Sequence, residues 1–110
     1  MQIHFSEALN FSDSKKNRLS TLIAQRVILL IGERKATQIN NIYFSDTVSH
    51  IDQKSSTASI LSDKVIANWF GEKIDIYCDS YVLNKLLHQG SGHLLFDHAI
   101  IAISNGIPLK

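Results

Sequence analysis

The chain has 110 residues, 45% apolar and 19% charged, with 11 Lys and Arg against 10 Asp and Glu for a formal net charge of +1. That length makes one domain spanning 1–110, apolar enough for an ordinary core without disulfide or metal staples. It carries none of the basic excess that marks nucleic-acid binders, and its single cysteine, Cys78, excludes an internal disulfide and fits a reducing compartment.

The opening Gln2-Ile3-His4-Phe5-Ser6 alternates polar and apolar residues, which predicts a short half-buried strand. It holds neither a basic n-region nor a continuous apolar stretch, so no secretory leader is expected. The most apolar run, Val27 to Ile31, is far too short to span a bilayer. A cytoplasmic location and no membrane association follow as expectations. Ser12-Asp13-Ser14 then offers helix-capping side chains. From Lys15 to Ile31, Leu19, Leu22, Ile23, Arg26, Val27 and Leu30 recur at helical spacing, with Gly32 as terminator.

Ile39 to Val48 is β-rich and predicts a strand. After a polar stretch, Thr57 to Leu61 reads as a short strand turning at Ser62-Asp63. Val65 to Phe70 and Lys73 to Cys78 form a hairpin through Gly71-Glu72. Its second arm puts Ile74, Ile76 and Cys78 on one face and Lys73, Asp75 and Tyr77 on the other. Asp79-Ser80 caps a helix from Tyr81 to His88, ended by Gln89-Gly90-Ser91-Gly92. His93 to Ser104 is apolar on most sides and predicts a buried helix, with a strand over Ala99 to Ile103 as the alternative. The expected fold is α+β: an antiparallel sheet of four or five strands with two or three helices on one face, in the order β-α-β-β-β-β-α-α.

Four groups of residues invite a chemical reading. Gly90-Ser91-Gly92 lacks the Lys-Ser/Thr of a P-loop and the third glycine of a dinucleotide fingerprint, so no cofactor is expected there. Cys78 alternates with Ile74 and Ile76, which makes it a buried thiol and not a nucleophile. Lys15, Lys16 and Arg18 open the long helix and form the candidate phosphate-binding face. Trp69 and Phe70 at the hairpin, with Tyr77 on the polar face, are the candidate partner-binding residues, because aromatics concentrate at interfaces.

His88-Gln-Gly-Ser-Gly-His93-Leu-Leu-Phe-Asp97-His98 gathers three imidazoles and a carboxylate. The stretch resembles the His-Gly-x-x-His…Asp-His signature of the YbeY-type endoribonucleases. That resemblance implies a metal-dependent hydrolase with His88, His93 and His98 as ligands. Read from the residues alone, His93 and His98 on one helix would point about 140° apart, which favours ordinary hydrogen bonding over a shared ion. The order of the first strand (Met1 to Phe5), the helix carrying Lys15, Lys16 and Arg18, and the strand Ile39 to Tyr43 is similar to that of the ribosome hibernation factors. It implies an RNA-binding layout, although the helix Tyr81 to Gln89 carries one cation, Lys85.

By elimination the leading expectation is a small non-enzymatic protein-binding module of the bacterial inhibitor or immunity type. It has no cofactor and no resident metal, and a protein is its partner. The RNA-binding domain and the metal-dependent hydrolase are the alternatives. The apolar C-terminal segment also provides a surface for a homo-oligomer.

Overall fold

The structure, a computed structural model, describes residues 1–46, 57–62, 65–71, 73–89 and 94–106, without the side chains of 57–62, Phe70, Gln89 and Leu94. It contains β1 (Gln2–Phe5), a single 3-10 turn (Glu7–Leu9), α1 (Asp13–Ile31), α2 (Glu33–Ala36), β2 (Asn41–Ser45), β3 (Thr57–Ser62), β4 (Val65–Phe70), β5 (Lys73–Cys78), α3 (Ser80–Gln89) and α4 (Leu94–Ser104). The α+β class is as expected, and His93 to Ser104 resolves in favour of helix over the described 94–104.

The purely antiparallel sheet is corrected. Five strands run in the order β1-β2-β5-β4-β3, and β1, β2 and β5 are mutually parallel, while β3-β4 and β4-β5 are antiparallel. The reason is α1. A 19-residue helix carries the chain back along the sheet, so β2 re-enters in the direction of β1. The β4-β5 hairpin then places β5 beside β2, in the middle of the sheet.

Local chemistry explains the element ends. Ser12 accepts a hydrogen bond from the Lys15 backbone N–H and caps α1. Gly32 closes α1 and opens α2 at φ 88° and ψ 155°, a region that only glycine adopts without strain. Gly32 ends the helix where the sequence reading placed its terminator, and the short α2 beyond it was not expected, so the described residues hold four α-helices where two or three were expected. Gly71 begins the β4-β5 connection at φ 66°, the positive φ that tight hairpin turns need at their first position.

All the helices contribute to one core against one sheet face. Leu19, Ile23 and Val27 of α1, Val82, Leu83 and Leu86 of α3, and Phe96, Ala99, Ile100 and Ile103 of α4 bury against Ile42, Phe44, Val65, Ala67, Ile74, Ile76 and Cys78. An aromatic series, Phe11 on Phe5, Phe5 on Phe44 and Phe44 on Phe96, runs from the start of α1 to α4 at ring-centre distances of 5.9, 5.3 and 6.3 Å. The helix layer is pinned by two polar ties. Arg26 of α1 donates from Nε and Nη2 to the two carboxylate oxygens of Asp97 on α4, at 3.1 and 2.6 Å. Lys35 of α2 donates to the Ser104 carbonyl at the end of α4 (3.0 Å), where a cation suits the helix dipole. No helix among the described residues is long and apolar enough to cross a membrane.

Candidate functional site

With every described helix packed on one side, the register leaves a second sheet face whose described side chains are mostly polar or aromatic, with Ile66, opposite Tyr77 and 6% exposed, the apolar exception. One row crosses it from strand to strand: His4 opposite Tyr43, Tyr43 opposite Asp75, and Asp75 opposite Asn68. Asn41 and Lys73 form the adjacent row, also paired directly. The cause is simple period-2 alternation. Ile3, Phe5, Ile42, Phe44, Ile74 and Ile76 take the core positions, so their neighbours must point away.

The groups on this face hold one another. His4 Nε2 lies 2.9 Å from Asn41 Oδ1. The His4 imidazole stacks on the Tyr43 ring with centroids 4.5 Å apart and planes 13° from parallel. Lys73 Nζ sits 5.3 Å from the centre of the same ring. Because β2 lies between β1 and β5, His4 and Lys73 approach Tyr43 from opposite sides. The phenol is therefore held between an imidazole and an ammonium and stays 37% exposed. Contacts of these two kinds each contribute about 0.5–1 kcal/mol.

Lys73 Nζ is also 3.7 Å from Asp75 Oδ2. Burial, and to a lesser degree the charge of Asp75, pushes the Tyr77 phenol above its ordinary pKa. Toward β4 the face closes over. Asn68 is 1% exposed, and its side-chain oxygen has no hydrogen-bond partner among the described residues.

The residues singled out from sequence distribute differently. Tyr77 does lie on the helix-free face, half-buried. Trp69 pairs with Ile74 and packs against the core, so it projects to the opposite side, with its indole N–H buried and unpaired among the described residues. The Phe70 side chain lies outside the described residues. Trp69 and Tyr77 therefore do not share a surface.

Lys15, Lys16 and Arg18 lie in the first turns of α1, on the helix side, and cannot act with Tyr77 on one nucleic-acid face. Lys15 sits over the Phe11 ring at 4.7 Å. Arg18 lines a shallow groove of about 460 Å³ with Asn17, Thr21, Leu22, Gln25 and Leu87. His88 is exposed on α3 and His98 is exposed on α4, while His93 and Gly90-Ser91-Gly92 fall outside the described residues. The carboxylate between the histidines, Asp97, is taken by Arg26. Among the described residues no three His, Cys, Asp or Glu side chains gather as a metal site. Cys78 is buried, and burial pushes its thiol far up, which suppresses the thiolate that nucleophilic chemistry needs.

His4, Asn41 and Tyr43 were not legible as a site from sequence. The alternation of Asn41 to Ser45 turns Tyr43 away from the core, but only the parallel β1-β2 pairing brings His4 against it. Compared with protein-family models, with curated proteins and with solved structures, the chain matches none.

Proposed function

We propose that this chain is a non-enzymatic protein-binding module, of the inhibitor or immunity-protein kind, that engages its partner through the helix-free sheet face centred on Tyr43. The observation that carries it is the clamping of Tyr43 between His4 and Lys73. A tyrosine held in this way loses little side-chain entropy when a partner covers it, and rigid exposed aromatics are the usual anchors of protein interfaces. The surrounding Asn41, Lys73 and Asp75 supply a polar rim. Base stacking is the less suited use, because it needs a free ring face, and both faces of Tyr43 are occupied.

The test is a photo-crosslinking residue installed at position 43 and, for comparison, at Thr21 on α1, in cells that make the protein. A discrete protein adduct from position 43 and none from position 21 is expected. Tyr43→Ala should weaken the affinity for that captured protein about tenfold or more. Adducts only from position 21, or adducts to RNA, would overturn the proposal.

A further inference from the structure

Among the described residues the sheet ends on one side at β1, and its hydrogen bonding defines a free edge there. Gln2 N–H donates to the Asn40 carbonyl and Ser6 N–H to the Phe44 carbonyl, so the even-numbered residues face β2. By the two-residue period of a strand, the N–H and C=O groups of Ile3 and Phe5 point away from β2, and none has a partner among the described residues. Natural edges are usually blunted by Lys, Pro or a bulge. The opposite edge strand, β3, carries an irregularity between Ile60 and Ser62. β1 has none of these devices: its pairing with β2 is regular and it contains no Lys, Arg, Asp, Glu or Pro.

The geometry points to a second copy of this chain as the occupant of that edge, paired antiparallel about a two-fold axis at His4. Two features select a second copy over an unrelated strand. The segment Gln2-Ile3-His4-Phe5-Ser6 reads the same in polarity from either end. An axis at His4 therefore sets Ile3 against Phe5, both half-buried and both on the helix side, and Gln2 against Ser6. Each Ile3 N–H then donates to a Phe5 carbonyl of the other copy, and each Phe5 N–H to an Ile3 carbonyl. The second feature is the ring stack. His4 covers Tyr43 with the ring face turned toward β2, so its other face is turned toward the edge. The two-fold brings two His4 rings together as a non-hydrogen-bonded pair, the closer kind of cross-strand pair. The stack then runs Tyr43, His4, His4, Tyr43 across the axis, within a ten-stranded sheet with both helix layers on one side.

Sedimentation equilibrium across a concentration series tests this on the intact chain. Twice the 12.3 kDa chain mass is expected at high concentration. His4→Cys should form a disulfide between copies under mild oxidation, because the Cα atoms of such a pair fall in the roughly 4.4–6.8 Å range that a disulfide requires. Cys78 is buried and does not compete. Thr21→Cys should stay unlinked. Ile3→Pro removes the outward N–H together with the half-buried Ile3 side chain, so circular dichroism is read beside it: the fold should be retained while association is lost. His4→Lys, which sets two ammonium groups face to face, should weaken association about fivefold. A chain that stays monomeric at millimolar concentration overturns the inference. So does a dimer that Ile3→Pro and His4→Lys leave intact and His4→Cys fails to link.

Discussion

Asn68 gives the sharpest test of the energetics. It sits in the middle of β4, opposite Asp75, 1% exposed, with a side-chain oxygen that accepts nothing from the described residues. A buried acceptor that gave up water without gaining a partner costs about 1–3 kcal/mol. Leucine has the same branched shape, though it is bulkier, and removes the polar group, so Asn68→Leu should raise stability by about 1–2 kcal/mol, taking the lower part of that range to allow for imperfect packing. For a domain of this size that corresponds to a rise in melting temperature of about 4–8 °C. Urea denaturation followed by tryptophan fluorescence gives the free energy directly, and an unchanged m-value verifies that the same transition is being compared. If Asn68→Leu instead destabilises the protein by a similar amount, the oxygen is satisfied in the folded molecule and the account of this face is wrong.

Gly32→Ala should cost about 1–3 kcal/mol in thermal melts purely through backbone conformation, since nothing lies within 4 Å of the added methyl. A double-mutant cycle on Arg26 and Asp97 should give a coupling of about 1 kcal/mol that shrinks with salt, because the pair is only partly shielded at 24% and 13% side-chain exposure. Tyr77 and Cys78 both titrate higher in the fold than in the open chain, chiefly through burial. A raised folded-state pKa adds stability that is whole below the unfolded value and is lost as pH climbs toward the folded one. The urea midpoint should therefore begin to fall above about pH 8.5 and fall further above about pH 10. Cys78→Ala should flatten the first part of that decline and Tyr77→Phe the second.

Much of the local structure was legible because it is written in short-range periodicity. The spacing of Leu19, Ile23 and Val27 located α1, Gly32 marked its end, and the alternation of Ile74, Ile76 and Cys78 assigned the core face of β5. What alternation leaves open is which strands become neighbours and in what direction. Nothing between Gln2 and Phe5 records that β2 will lie beside it in parallel, and nothing near Lys73 records that β5 will slot against β2 rather than at the rim. The site shared that fate. Tyr77 could be assigned to the wet side from its own strand, whereas the clamp on Tyr43 joins residues from three strands that are far apart in the chain. Trp69 was misleading for the converse reason: its place near a hairpin tip suggested exposure, but its parity with Ile74 sends it to the packed side.

The central position of β5 has a consequence during synthesis. The unit made first, β1-α1-β2, can form its own helix and parallel pair, but Ile42 and Phe44 stay without their lateral neighbours until Ile74 and Ile76 leave the ribosome. The emerging chain must therefore carry an unshielded greasy flank until β5 follows it out. Ribosome-bound chains arrested before residue 73 should be cut rapidly by protease, and those arrested well past α4 should resist it.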